Sequence, residues 1–340
     1  MNYCKSILVI ALFVCNLISI QAKNHLDNSI CIFTQQYDAT VAADGSGDYK
    51  TIQEAINNSK SFPYQRVEIF IKNGIYNEKV RVPEWNSNIS FIGESKENTI
   101  ITYNDHFKKI AKGRNSTFYT STVLIEGNDF IAKNLTIQNT SGEIGQAIAL
   151  SINADRCYIE NCNILGNQDT VYLSGEGFRQ YFINCYIEGT TDFIFGSATA
   201  LFENCTIHSK SNSYITAAST PKEILYGFVF NQCKLTANKD VTQVYLGRPW
   251  RIYAKTVFIN CEMGSHIRPE GWHNWSKKEA EKTAFFAEYN SIGKGAKSNK
   301  RVLWSHQLKK SEVKEYSIKN ILGKNIKDFK SEWYDNINAK

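Results

Sequence analysis

Five segments of the chain repeat one pattern: Ile159-Glu-Asn-Cys-Asn-Ile164, Phe182-Ile-Asn-Cys-Tyr-Ile187, Phe202-Glu-Asn-Cys-Thr-Ile207, Phe230-Asn-Gln-Cys-Lys-Leu235 and Phe258-Ile-Asn-Cys-Glu-Met263. Their cysteines lie 23, 20, 28 and 28 residues apart. Each unit is a short β-prone stretch in which large apolar residues flank a small one, followed by turn formers. A single strand of this kind cannot bury both faces. Stacked parallel strands from successive coils can, and the chain then winds into an all-β fold, a right-handed parallel β-helix. Val67–Ile71, Ile89–Gly93 and Ile131–Asn139 share the strand character and are expected as further coils.

The repeat also gives the cysteines a place. Equivalent positions one coil apart stack at about 4.8 Å, so Cys162, Cys185, Cys205, Cys233 and Cys261 form an inward ladder of small residues. Two readings stand side by side: a stack of buried thiols, or one disulfide between Cys162 and Cys185, whose Cα atoms fall within bridging range. Asn161, Asn184, Asn204 and Asn260 precede these cysteines and are expected to stack at a bend in a structural role. The stretch from Val41 to Ile56 begins as a turn and continues as an amphipathic helix capped by Thr51, which would plug one open end. It lacks both the strand–GxGxxG–helix order and the lysine of a nucleotide loop. Beyond about residue 277 the coil pattern fades into charged segments, expected as a helical and loop cover of the other end.

Lys5 is followed by an apolar run from Ile7 to Ile20 and by Gln21-Ala22, which reads as a secretory signal peptide cut near Ala22. The run is shorter than the roughly 18 residues a membrane span needs. The expected division is a signal peptide over 1–22, a short leader over 23–40, a β-helix catalytic domain over 41–325 and a tail over 326–340. Seven N-x-Ser/Thr sequons, at Asn57, Asn88, Asn115, Asn134, Asn139, Asn204 and Asn274, fit a secreted glycoprotein. Seven cysteines remain after such a cut, an odd number that leaves at least one unpaired thiol. No CxxC pair occurs and the six His are scattered, so no metal site is expected. With only 5 Pro and no block of like charge, neither a mucin-like stalk nor a nucleic-acid-binding tail fits.

Chemistry concentrates where the coil period meets polar residues. Gln146, Asp169 and Asp192 are each 23 residues from the next, and each Asp follows a repeat cysteine by seven. The two carboxyl groups are therefore expected on neighbouring rungs of one face. At about 5 Å they cannot both ionise cheaply, which suits one acid and one anion working together. Leu246-Gly-Arg-Pro-Trp250 offers a cation: the guanidinium of Arg248 can hold one carboxylate ionised by a two-pronged bond, and Trp250 presents an apolar face of the kind that binds a sugar ring.

Gly74-Ile-Tyr-Asn-Glu78, Gln146-Ala-Ile-Ala-Leu150, Gln168-Asp-Thr-Val-Tyr172, Asp192-Phe-Ile-Phe-Gly196 and Leu246-Gly-Arg-Pro-Trp250 resemble the five signature blocks of the pectin methylesterases, in that family's order. Ile148 and Val171 stand where Val and Leu are usual. The resemblance covers roughly Val41 to Trp304 and is to plant enzymes without the inhibitor-like pro-region. It implies hydrolysis of the C6 methyl esters of homogalacturonan (pectin) to carboxylates and methanol, without a cofactor. Asp192 would be the nucleophile and Asp169 the proton donor and base. Gln168, with Gln146, would stabilise the oxyanion. Arg248 would keep Asp192 ionised, and Thr117, Gln146, Arg248 and Trp250 would contact substrate. The implied protein is a secreted cell-wall monomer that proteinaceous pectinesterase inhibitors would bind, with no nucleic-acid or membrane partner.

Two rivals share the scaffold. A pectin lyase would collect several Asp as calcium ligands and a paired-carboxylate glycosidase would not need the flanking glutamines, while a non-catalytic wall protein would adsorb to pectin without releasing methanol. A serine hydrolase lacks its G-x-S-x-G elbow. The chain's net charge of +6 is local: residues 277–340 hold 15 Lys plus Arg against 8 Asp plus Glu. This basic cover is expected either to hold de-esterified, polyanionic product in a salt-sensitive way or to be a solvated surface.

Overall fold

Each turn of the chain is built from three short strands that join three parallel sheets. In the computed structural model, which describes residues 36–323 together with Trp333 and Tyr334, these sheets hold eleven, eight and seven strands. Cys157–Glu160, Asn163–Leu165 and Val171–Leu173 make one turn and pair in parallel with Arg179–Ile183, Tyr186–Gly189 and Ile194–Gly196 of the next. The expected earlier coils are present as the strands Val67–Ile71, Ile89–Gly93, Ile131–Lys133 and Thr136–Asn139. The expected signal peptide, most of the leader, Cys4, Cys15, Cys31 and most of the tail lie outside the described residues.

The corner between the first and second sheets explains the repeated amides. Asn161, Asn184, Asn204, Gln232 and Asn260 all take the left-handed conformation, with φ between 49° and 55°. Asn reaches this region at the least cost of the residues that carry a side chain, because its short amide bonds locally. Asn161 Nδ2 also donates to Asn134 Oδ1 (2.8 Å), and Asn290 Nδ2 to Asn260 Oδ1 (2.9 Å), so these amide bonds run to asparagines outside the expected four.

The cysteine that follows each bend points into the core. Backbone N–H groups of Tyr186, Thr206, Lys234 and Glu262 donate to the carbonyls of Cys162, Cys185, Cys205 and Cys233, which sets the five cysteines one rung apart. The Cys162–Cys185 bridge is not formed: both are free buried thiols, like Cys205, Cys233 and Cys261. The reason lies in where the sulfurs aim. Cys185 Sγ sits 3.4 Å from the carbonyl of Ile159 on the preceding coil, and Cys205, Cys233 and Cys261 repeat this with Phe182, Phe202 and Phe230 at 3.6, 3.4 and 3.5 Å. Beside the thiols, Phe182, Phe202, Phe230 and Phe258 stack with ring centroids 4.9, 4.5 and 4.4 Å apart.

At the amino-terminal end, helix Ile52–Asn58 closes the solenoid as its pattern predicts, burying Ile52, Ala55 and Ile56 against the core. Thr51 and Glu54 form a reciprocal capping box, a feature that contributes about 1 kcal/mol. Glu78, the acid of the first family block, accepts from the N–H groups of Ile52 and Gln53 (2.9 and 3.0 Å). That block therefore fastens the end cap and does not reach the catalytic cleft.

The far end differs from the expected cover. Strands Phe285–Tyr289 and His306–Gln307 continue the first sheet past residue 277, so the coil outlasts its repeat motif. Val302 and Trp304 pack on the end of the core, anchored by the buried fork of Arg301 on Glu288 (2.7 and 3.0 Å). Helix Ile318–Gly323 does not cap the end. It lies on the outer face of the first sheet, where Ile321 and Leu322 meet Tyr158, Tyr181 and Leu201. Arg179 pins it by donating to the carbonyl of Leu322 (3.0 Å) while forking to Asp155. Burying those apolar outer residues outweighs plugging an end that Trp304 already fills.

Candidate active site

The outer face of the third sheet supplies the floor of the site. Alternation turns Val171 and Leu173 inward and Tyr172 outward, and register places Arg81, Leu124, Ser151, Tyr172, Phe195 and Ala217 in one row along the groove. Tyr172 and Phe195 stack at 4.7 Å, with Phe118 against the first and Trp250 against the second.

Asp169 and Asp192 stand at the corner that leads into this sheet, both left-handed with φ of 65° and 49°. Such a corner turns the carboxyl group out of the coil and over the groove, a conformational cost of the kind found at functional sites. The amide of Asp169 donates to the carbonyl of Thr191, and that of Asp192 to Tyr214, so the two carboxyl groups occupy neighbouring rungs as their shared offset from the cysteines predicts.

Gln146 departs from the simple spacing. The amide that donates to the carbonyl of Gln168 is that of Ala147, so Ala147 stands one rung from Asp169 and Gln146 one rung from Gln168. The earlier coil is shorter: Leu150 pairs with Val171, whereas Val171 pairs with Ile194. The two glutamines thus lie side by side, flanking the acid pair.

Arg248 follows strand Tyr245–Gly247 and is held there by its own N–H on the carbonyl of Thr216 (2.9 Å). Its Nε and Nη2 fork to Asp192 Oδ1 and Oδ2 at 2.9 and 2.6 Å. The guanidinium is clamped between two rings, 3.9 Å from the centroid of Tyr214 and 3.7 Å from that of Trp275. Lys277 secures the lid of this clamp, donating to the carbonyls of Pro249 and Trp250 (2.8 and 3.1 Å) with its ammonium 4.5 Å from the Trp275 ring. Tyr214, Trp275, Phe118, Phe195 and Lys277 escaped the sequence reading. Tyr214, Trp275 and Lys277 sit in no repeated motif; Phe195 lies within the block Asp192–Gly196 and Phe118 beside Thr117, and the outward parity that Phe195 shares with Tyr172 was available to point to it.

Thr117, on the 3₁₀ segment Gly113–Tyr119, faces the same cleft of about 290 Å³ as Gln146, Gln168, Asp169, Asp192, Arg248 and Trp250. All seven predicted site residues thus converge; the thiol ladder, including Cys162 and Cys185, stays in the core. Burial pushes the Asp169 carboxyl well above the usual range, and the neighbouring Asp192 adds to this while Arg248 opposes it. Burial also raises Asp192, but there the Arg248 fork acts directly against the rise. The two environments therefore differ: burial favours the protonated form of Asp169, whereas the Arg248 fork supports the Asp192 anion. Among the described residues, no group of three or more His, Cys, Asp or Glu is arranged to hold a metal ion, and no helix is long and apolar enough to cross a membrane.

A parallel β-helix whose third sheet floors an open groove, with two carboxyl groups of unlike environment in it, defines a solenoid with a site suited to acid–base hydrolysis. The Pectinesterase family model matches residues 38–325. The chain belongs to the pectinesterase family, a family of carboxylic ester hydrolases. It is 43% identical over 281 residues to Pectinesterase 31 of Arabidopsis thaliana, covering 80% of this chain and 88% of that protein. It is 38% identical over 280 residues to Pectinesterase/pectinesterase inhibitor U1 of Solanum lycopersicum, and the match spans 78% of this chain but only 47% of that protein. Pectin methylesterase from carrot superposes with a TM-score of 0.80 at 34% identity, covering 85% and 94% of the two chains. A pectin methylesterase in complex with a hexasaccharide superposes at 0.74 and 28% identity, covering 85% and 98%.

Proposed function

We propose that this chain hydrolyses the C6 methyl esters of homogalacturonan, releasing methanol and leaving a free carboxylate on the polymer. The observation that carries the reading is the fork of Arg248 on Asp192 beside a second carboxyl whose burial favours its protonated form. Asp192 attacks the ester carbonyl carbon, and the carbonyl π electrons move onto oxygen. The side-chain amides of Gln168 and Gln146 donate to that oxyanion as it forms. Collapse breaks the bond to the methoxy oxygen, which takes the proton of Asp169 and departs as methanol. Asp169, now an anion, draws a proton from water as the water oxygen adds to the acyl carbon. Collapse of this second intermediate frees Asp192, and the uronate product leaves with one oxygen from water.

Arg248 keeps Asp192 ionised in a cleft that would otherwise protonate it. Trp250 and Thr117 contact the sugar carrying the ester. The relative that holds a hexasaccharide supports an extended polysaccharide as the ligand of the groove. Secretion to the cell wall, and binding of a proteinaceous inhibitor over the groove, complete the reading. The test is methanol release from highly methylated pectin in EDTA: the parent chain releases methanol without shortening the polymer, and Asp192→Ala does not while keeping its circular dichroism spectrum. An unsaturated product would point to a lyase and sink the proposal.

A further inference from the structure

Three large aromatic side chains stand in solvent on two segments that hydrogen-bond to one another, one of which brings Trp85 to the amino-terminal end of the groove. Phe62 is 70% exposed, Tyr64 fully exposed and Trp85 41% exposed. Exposed aromatic clusters of this kind mark contact surfaces, since water alone gives no reason to hold them out. Their backbone is fixed rather than loose. Phe62 N–H donates to the carbonyl of Trp85 (2.6 Å), and the side chains of Asn86 and Asn88 donate to the carbonyls of Lys60 and Pro63 (both 3.3 Å). Phe62 is moreover left-handed, with φ of 50°, a conformation costly for an aromatic residue.

Trp85 joins this exposed set to the catalytic cleft through a run of adjoining cavities. Trp85 lines a cavity of about 430 Å³ whose walls include Arg81, Glu126 and Asn153. The same three residues line a neighbouring cavity of about 760 Å³, which meets the catalytic cleft at Phe118. From Phe195 beside the catalytic pair, the row through Tyr172, Ser151 and Leu124 reaches Arg81 in four rungs, roughly 19 Å. The charges at this far end favour a neutral ligand. Arg81 is engaged by Glu126 at 2.7 Å, which leaves Glu84 as net negative charge where a free uronate would lie.

Resting on the reading of the cleft as a methylesterase site, we propose that Phe62, Tyr64 and Trp85 form a remote binding platform for the still-esterified stretch of the same pectin chain. The platform anchors polymer several sugars away from the reacting ester and takes no part in chemistry.

The test compares the parent with Trp85→Ala and with the triple variant Phe62→Ser, Tyr64→Ser, Trp85→Ala. KM is measured on long, highly methylated polygalacturonate and on a methyl-esterified oligomer too short to reach Trp85. KM on the polymer rises about fivefold for each ring whose stacking is lost, while kcat and both constants on the oligomer stay unchanged. The same variants shift KM far less on sparsely methylated polymer. Native gels cast with highly methylated pectin add a readout independent of turnover: the Asp192→Ala chain is retarded, and adding the triple substitution removes most of the retardation. Unchanged polymer KM in the triple variant, or an equal rise on the oligomer, overturns the platform. A parent that releases no methanol from the oligomer instead overturns the reading of the cleft, and the gel then still decides for or against the platform.

Discussion

Replacing Arg248 by Met removes a charge whose two nitrogens both engage Asp192, in a pair where the side chains are only 16% and 8% exposed. At that burial little screening remains, and deleting one partner of such a pair costs about 3–5 kcal/mol. At 1.4 kcal/mol per decade this is a loss of about 10²- to 4 × 10³-fold in kcat at neutral pH. The fold escapes most of the cost because Asp192 can take a proton. The nucleophile does not escape it, since burial already raises its pKa and the fork is the main opposition to the rise, with Lys277 adding a smaller one. The sign follows: residual activity of Arg248→Met climbs with pH across a range where the parent's is flat. Arg248→Lys keeps the charge but loses the planar fork and the fit between Tyr214 and Trp275, so it recovers only part of the loss. The assay is initial methanol release from methylated pectin against pH, with circular dichroism as the folding control. An Arg248→Met chain that kept a third of parental kcat with an unchanged pH profile would refute the role of the fork.

Asp169 yields a stability prediction of definite sign. Its folded-state pKa lies well above the unfolded value near 3.8, so the stability tied to its protonated form is complete below pH 3.8 and is lost as pH rises through the folded value. Asp169→Asn therefore melts higher than the parent at about pH 8, by about 3 °C for each kcal/mol relieved, and the gap closes below pH 3.8 in differential scanning calorimetry. Gln168→Ala lowers kcat by about 10²-fold with a small change in KM, the pattern for a donor used in the transition state; steady-state kinetics on methylated oligomers read it. Burial pushes the thiols of Cys162, Cys185, Cys205 and Cys233 well above their ordinary range, so an aromatic disulfide reagent labels none of them in the native chain and all of them after guanidinium unfolding.

The repeat made most of this architecture legible. Because each coil ends its first strand at the same bend, Asn and Cys recur with a phase that reports the corner, and carrying that phase forward seven residues located Asp169 and Asp192 on adjacent rungs. The phase failed where the coil length changed, as it does between Gln146 and Gln168. It could not choose between a bridge and a thiol stack, because rung spacing permits both and the aim of each Sγ is set by the carbonyl of the coil beneath. Past Cys261 the cysteine is lost while the sheet and its bend go on: Phe285–Tyr289 runs into left-handed Asn290, with Ser291 where the repeat has its cysteine. The rings around Arg248 were invisible for a similar reason: Tyr214 and Trp275 are brought together by the winding of the solenoid, and no spacing rule links them.

The central claim is that Asp192, held by Arg248 and served by Asp169, removes methyl groups from pectin. The most direct measurement is the stoichiometry of methanol to new carboxylate on highly methylated homogalacturonan, in EDTA, for the parent, Asp192→Ala and Asp169→Ala chains. One methanol per carboxylate from the parent, an intact polymer length and no turnover by either variant is the predicted result. Methanol release by the Asp192→Ala chain at near-parental rate, or polymer cleavage by the parent, would contradict it.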